Sequence, residues 1–560
     1  MGTSRRVVVI GGVAAGTKAA SRVARLDPAA QVMVIEKGAH FSYAGCGLPY
    51  YVMDLVRDQK DLLSTPAGVV RDAAFFAKVK NVNVRSRTEA LEIDRDRRRV
   101  RVRDLAGGEE TWVEYDALVI ATGARPVVPP IPGIDLANVT PVHTVPEAER
   151  IKALVASGGG RNAVIIGGGL IGVEMAEALA ARGCRVTMIE MLPQVLNILD
   201  WDMAKLVEQH MIAKGVRVLT GVRVTALRGE DQVSAVATDA GELPADLVIV
   251  AVGVRPNADL ARKAGLAVGD LGGITVDARM RTSDPNIYAA GDCVENTHLI
   301  TGGPCFVPLG STANKQGRVA ANALCGVEDA FPGVLGSAVC KVFDFCVART
   351  GLTESQAKAD GRDVVSVIAP GPDRPHYMPS AKSLLLKLVV DRCTRKLIGA
   401  QAVGPGAGDK RIDVAAMAIT ADMTVDQLAK ADLCYAPPFS PAMDNIITAA
   451  DVARNKLDGV FEGISAREVK EKLDRGDRLV LLDARSPAEF EEMRLPRSVN
   501  IPLGALRARH DELNKDAEIV AFCKVSLRGY EAALILKAAG FRNVRVLDGG
   551  IAAWPYEKET

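Results

Sequence analysis

Short runs of β-branched and other apolar residues alternate with stretches of helical spacing along the first half of the chain. Residues 6–10 read as a strand, residues 16–26 repeat apolar positions at helical spacing, and residues 31–35 read as a second strand. The same order returns at 163–166, 172–182 and 185–189. Two copies of one strand–helix–strand unit predict two doubly wound modules with parallel sheets. Glycine and proline clusters at 121–132 and 253–256 bracket the second copy. A mixed stretch of strands and helices follows over 331–453, and a fresh unit starts near Ile464, with strands at 479–482 and 518–522.

Composition narrows the picture. A chain of 560 residues has room for three or four domains, and 52 glycines with only 4% aromatics suit α/β layers with tight strand-to-helix turns. The net charge of +1 offers no global field for nucleic acid or an acidic membrane. No apolar run reaches the roughly 18–20 residues that span a bilayer, and the start of the chain leads directly into a strand, so the expected location is cytoplasmic. The ten cysteines form no CxxC pair or Cys/His cluster, which disfavours a disulfide framework and predicts no metal site.

Two glycine loops carry the first chemistry. Gly167-Gly168-Gly169-Leu170-Ile171-Gly172 follows a strand and opens a helix, and Glu190 closes the next strand. Gly167, Gly169 and Gly172 let the backbone approach a pyrophosphate at a helix N-terminus, while Glu190 suits a ribose 2′-hydroxyl and repels a 2′-phosphate. NADH is therefore expected over NADPH. The first loop, Gly11-Gly12-Val13-Ala14-Ala15-Gly16, has Val13 where the middle glycine is expected, but Glu36 stands at the matching strand end.

Ala121-Thr122-Gly123 and the run from Thr282 to Asp292 resemble the later FAD-contact segments of the two-dinucleotide-domain flavin disulfide reductases. The resemblance implies that the first module binds FAD through Gly11, Gly16, Glu36, Thr122, Gly123, Arg125, Gly291 and Asp292, and that the inserted module binds NADH. It divides the chain into an FAD domain (1–120 and 255–328), an NADH domain (121–254) and a dimerisation domain (329–455).

Many such proteins place a CxxxxC pair beside the flavin. Here Tyr43-Ala44-Gly45-Cys46-Gly47-Leu48-Pro49-Tyr50-Tyr51 holds one cysteine, and the next is Cys184. A lone Cys46 must cycle with an external thiol, or as a sulfenate or persulfide. The helical stretch after it predicts a helix N-terminus that favours the thiolate.

This segment is similar to the active-site segment of coenzyme A-disulfide reductases and their NADH-dependent persulfide reductase relatives. The resemblance implies a homodimer in which Tyr377 and Tyr435 reach the reactive sulfur of the other subunit. It also implies coenzyme A as substrate or ligand, with its phosphates near Arg22 and Arg25, Ser42 beside the reactive segment, and Lys78 as a further contact.

Residues 463–560 resemble a rhodanese. Leu481 to Phe490 matches that fold's first signature and Leu547-Asp548-Gly549-Gly550 with Trp554 its last. Between them, Cys523-Lys524-Val525-Ser526-Leu527-Arg528 is a strand-to-helix loop whose amides and Arg528 can stabilise a sulfur anion on Cys523. Ser526 stands where glycine is common, and Arg494 replaces a frequent histidine. The expected fold class is α/β: two Rossmann-like dinucleotide-binding domains, an α+β dimerisation domain and a C-terminal α/β rhodanese domain.

The expected activity is FAD-dependent reduction of coenzyme A disulfide, coenzyme A persulfide or polysulfide by NADH. Alternatives are an NADH oxidase or peroxidase using a Cys46 sulfenate, and a non-metabolic flavin redox sensor or sulfur carrier. Gly11–Gly16 contains no histidine to partner a sulfenate, and the rhodanese-like unit points to sulfur. Small disulfide or persulfide molecules are the expected partners, with no nucleic acid and no membrane.

Overall fold

The computed structural model describes residues 4–560, so the start of the predicted FAD domain at residue 1 lies outside the described residues. Contacts divide the chain into two units. One runs to Pro193 and resumes over Gly215–Val334; the other joins Gln194–Lys214 to Leu335–Thr560.

The first unit contains two five-stranded parallel sheets. The order of the first is Ile287–Ala289, Ala117–Ile120, Arg6–Ile10, Gln31–Ile35 and Val82–Arg85; that of the second is Arg217–Thr220, Arg185–Glu190, Asn162–Ile166, Leu247–Val250 and Val139–Thr140. The central strands are buried on both faces, as their unbroken apolar runs require. Both modules insert a three-stranded antiparallel sheet before the strand that returns beside the first one, over Thr88–Glu114 and Val224–Pro244. Ala124–Pro126 and Val254–Pro256 pair antiparallel where the chain leaves the first module and comes back. The predicted duplication is present, with helices at Ala15–Leu26 and Leu170–Ala181. One segment departs from the expected 121–254 boundary. Gln194–Lys214, with the helix Trp201–Ala213, packs with the second unit.

In the second unit, an antiparallel sheet runs Ala338–Val342, Phe345–Gly351, Leu397–Gly404, Ser383–Asp391 and Val364–Pro372. The helices Gly408–Thr420 and Asn445–Leu457 pack on it. Register sets Arg349, Gln401 and Lys387 side by side across three strands. Lys387 is fully buried, and its Nζ lies 2.7 Å from Asp202, 2.9 Å from Glu354 and 3.3 Å from Asp200. Asp200 also accepts from Gln401 at 2.6 Å, so this cluster ties the helix beginning at Trp201 to the sheet. A buried ammonium is tolerated only with such compensation. The C-terminal part has a parallel sheet in the order Gly463–Ile464, Val544–Leu547, Glu518–Phe522, Leu479–Asp483 and Val499–Asn500, with an apolar core on each face. Among the described residues, no helix is long and apolar enough to cross a membrane, and no group of His, Cys, Asp and Glu could hold a metal ion.

Candidate functional sites

The two glycine loops are built alike. Gly11 and Gly167 have φ of +101° and +105°, and a Cβ on either would stand 2.1 and 2.4 Å from the carbonyl oxygens of Ala121 and Ala251. Gly16 and Gly172 press on the carbonyls of Gly11 and Gly167, leaving 1.9 and 2.1 Å for a Cβ. By contrast, nothing lies within 4 Å of a Cβ at Gly169.

The acid at each strand end fixes its loop. Glu36 accepts from Gly12 N–H and Gly38 N–H, both at 2.7 Å, and Glu190 accepts from Gly168 N–H and Leu192 N–H, both at 2.8 Å. An ionised carboxylate has about four lone-pair sites, so each acid retains capacity for ribose hydroxyls. Burial lifts the Glu36 carboxyl above its ordinary value, opposed by its two amide donors.

The remaining predicted FAD segments meet in the same unit. Thr122 donates to Asn257 O at 2.6 Å, and Asn257 returns an amide bond to Thr122 O. Arg125 is exposed and occupied with Asn257 and Asp259. Gly291 N–H donates to Gln316 Oε1 at 2.9 Å, which joins this turn to the helix Gly310–Leu324. That helix packs on Ala15–Leu26 so closely that a Cβ on Gly317 would lie 2.4 Å from Ala15 O. Asp292 follows, and burial alone lifts its carboxyl to about 6, with no cation or donor compensating it. The pinned glycine loop, the strand-end acid and the uncompensated Asp292 fit an FAD.

Cys46 lies in the short turn Gly45–Gly47, followed by the five-residue helix Leu48–Val52. Ser42 precedes it with φ +53° and is buried, its N–H bonded to Gly12 O at 2.7 Å, so the reactive segment is stapled to the first glycine loop. Cys46 is exposed as a residue and forms no disulfide. The expected stabilisation of its thiolate is not found. Burial first, then the Glu174 and Asp292 carboxylates, push the thiol above its ordinary value, and a one-turn helix has too little dipole to reverse them.

Glu174, missed in the sequence, accepts from Tyr50 Oη at 3.3 Å. Burial raises its carboxyl to about 7. The signal was present: Glu174 and Glu177 stand three apart in the otherwise apolar helix Leu170–Ala181. Of the expected coenzyme A contacts, Arg25 and Lys78 are exposed, while Arg22 is half-buried and donates to Asn322 Oδ1 at 2.8 Å.

In the second unit, Tyr377 and Tyr435 are 62% and 53% exposed, and Tyr435 lines a cavity of about 410 Å³ with Arg374, Lys410, Cys434 and Phe439. The Tyr435 phenol beside two cations can donate to an arriving anion, whereas Tyr377 does not line this cavity.

Cys523 follows the strand Glu518–Phe522 and is buried. Ser526 has φ +76°, the left-handed conformation that explains the usual glycine, and its Oγ donates to Leu547 O at 2.9 Å. Arg528 faces Cys523, which helps raise its already high pKa. The larger partner is Glu489, which accepts from both Arg528 nitrogens at 2.7 and 2.8 Å. Glu489 also closes a capping box with Ser486, and Arg528 holds its carboxyl down to about 2. That capping box was the unread signal for Glu489.

Residues 5–317 match the family described as pyridine nucleotide-disulphide oxidoreductase, residues 337–447 its dimerisation domain, and residues 465–557 the rhodanese-like domain. Among solved structures, the chain is similar to the NAD-dependent persulfide reductase from A. fulgidus, with 49% identity, a TM-score of 0.94, and 98% and 100% of the two chains covered. Reduced CoADR-RHD of Bacillus anthracis gives 36% identity, a TM-score of 0.92 and 98% coverage of both. The NAD(P)H sulfur oxidoreductase (CoA-dependent) of Pyrococcus abyssi is 41% identical over 80% of this chain and 98% of that protein. With a family match across more than half its length, this chain belongs to the pyridine nucleotide-disulphide oxidoreductases and carries a rhodanese-like domain after the dimerisation domain.

Proposed function

We propose that the chain reduces coenzyme A disulfide, coenzyme A persulfide or polysulfide with NADH, through Cys46 as its single redox-active sulfur, and that its rhodanese-like domain transfers sulfur. The observation that carries this reading is an exposed Cys46, free of any disulfide, in a segment stapled to a dinucleotide loop, with the Asp292 carboxylate among the charges acting on its thiol. FAD, when bound, supplies the two-electron link between NADH and sulfur. Gly11, Gly16, Glu36, Thr122, Gly123, Arg125, Gly291 and Asp292 hold it in the first module. Gly167, Gly169, Gly172 and Glu190 hold NADH in the second.

Cys46, as thiolate, attacks one sulfur of the substrate. The new S–S bond joins Cys46 to that sulfur as the old S–S bond breaks, and a coenzyme A thiolate or hydrosulfide leaves. Two electrons then cleave the Cys46 mixed disulfide or persulfide, restoring the thiolate and releasing the second sulfur product. Arg22, Arg25, Ser42 and Lys78 receive coenzyme A, and Tyr377 and Tyr435 of a homodimeric partner donate protons to the leaving thiolate. Cys523, assisted by Arg528, carries sulfane sulfur. The enzyme works in the cytoplasm on small molecules, without nucleic acid or membrane.

The test is steady-state NADH oxidation with coenzyme A disulfide, coenzyme A persulfide and polysulfide. Cys46→Ser abolishes turnover on all three, whereas Cys523→Ser keeps simple disulfide reduction and loses sulfur transfer. Undiminished turnover by Cys46→Ser refutes the scheme.

A further inference from the structure

The loop that holds Cys523 is not supported by its own domain alone. Its carbonyls at Cys523 and Lys524 accept from Ile551 N–H at 2.9 Å and Ala552 N–H at 3.1 Å, and Ser526 Oγ donates to Leu547 O at 2.9 Å. Both ends of the loop therefore hang on one segment, 547–552. That segment is fixed from outside the domain. Lys456, in the last turn of the helix Asn445–Leu457, donates to both Asp548 oxygens at 3.0 and 2.8 Å and to Ser366 O at 2.8 Å. Packing adds to this: a Cβ on Gly549 would stand 2.9 Å from Ile368 Cγ2, and one on Gly463 would strike the Lys456 side chain at 2.5 Å.

We propose that Lys456 is a positioning residue for sulfur transfer: through Asp548 it sets segment 547–552, and so the cradle around Cys523. The proposal rests on the reading of Cys523 as the sulfur-carrying nucleophile. The Asp548 carboxylate is largely buried, with Lys456 as its neighbouring cation. Burial raises its carboxyl, and Lys456 opposes that rise. Losing either partner lets the cradle shift, and displacements near 1 Å cost on the order of tenfold to a hundredfold in rate.

The experiment uses the full-length holoenzyme with thiosulfate as sulfur donor and cyanide as acceptor. In that reaction Cys523 thiolate takes the sulfane sulfur as sulfite leaves, and cyanide removes it as thiocyanate, restoring the thiolate. Lys456→Met and Asp548→Asn are each expected to lower kcat about tenfold. The KM for thiosulfate stays within about twofold, because the donor's own contacts are unchanged. The double variant, which buries no uncompensated charge and guards against a single variant that does not fold, is expected to be no slower than either single one. NADH-driven disulfide reduction by Cys46 remains at the wild-type rate in every folded variant.

A kcat within twofold of wild type in the double variant overturns the proposal. So do single effects that multiply in the double variant, which would mean the two residues act separately. Cys523→Ser in the same assay separates the two ideas. Sulfur transfer that survives Cys523→Ser defeats the reading of Cys523 itself, whereas loss there with unaffected clasp variants defeats only the role of Lys456.

Discussion

Replacing Lys387 with methionine tests how the second unit tolerates its buried charges. Lys387 is 2% exposed and lies within 3.3 Å of carboxylates from Asp200, Asp202 and Glu354. Removing one partner of a buried ion cluster costs about 3–5 kcal/mol, because the remaining charges lose their compensation. For a unit of this size each kcal/mol shifts the melting temperature by about 2–4 °C, so calorimetry is expected to show a drop of roughly 6–20 °C.

The pH dependence gives the sharper criterion. In the wild type, Lys387 is among the causes that hold the Asp200 and Glu354 carboxyls below their ordinary values, and the carboxylates hold Lys387 above its own. The acids' contribution is present above their unfolded pKa values and is lost only as pH falls through the lower folded ones. That of Lys387 is full below its unfolded pKa and is lost as pH rises through the higher folded one. The cluster's contribution is therefore level from about pH 5 to 9. In Lys387→Met, burial dominates and raises the acids, so the unfolded state binds fewer protons than the folded one. Acidification from pH 7.5 to about 5 then stabilises the variant and narrows its gap to wild type. A melting temperature within about 2 °C of wild type, or a gap unchanged by pH, refutes the argument.

Gly16→Ala forces a Cβ against Gly11 O, where 1.9 Å is available. The purified protein is expected to lose its flavin, read as loss of visible absorbance, while Gly169→Ala, which meets nothing within 4 Å, keeps the fold of its module by circular dichroism. Glu489→Gln removes a bidentate, partly exposed pair from Arg528. It is expected to lower stability by about 1–2 kcal/mol through the lost charge-assisted bonds, since glutamine can keep the capping box with Ser486, and to reduce sulfur transfer without affecting Cys46 chemistry. Ser526→Gly relieves a left-handed residue worth about 1–2 kcal/mol but gives up the Leu547 bond worth about 1 kcal/mol. Denaturant unfolding is therefore expected to differ from wild type by less than about 1 kcal/mol.

The parts of the molecule most legible in the sequence were those where one local pattern dictates one geometry. The runs at 6–10 and 163–166 are each followed by a glycine loop and a strand-end acid, and both modules have the parallel sheets that this order predicts. Ser526 was noticed as a departure, and its left-handed backbone gives the reason glycine is common there. What sequence left unread depends on partners far apart in the chain. No local pattern joins Asp200 to Lys387, or Lys456 to Asp548. The Cys46 environment was misjudged for the same reason. Its neighbour Glu174 comes from another module, and a thiolate-favouring helix was inferred from five residues.

The twin carboxylate pins set a limit on redesign. Glu190 already holds two backbone donors, at Gly168 and Leu192, before any dinucleotide arrives. The group proposed to reject a 2′-phosphate is thus also the fastener of the glycine loop. Turning the enzyme toward NADPH by removing that charge would slacken its grip on every nicotinamide nucleotide, so cofactor choice and overall affinity cannot be adjusted independently at this residue. A change of preference must bring its own replacement for the two lost loop contacts.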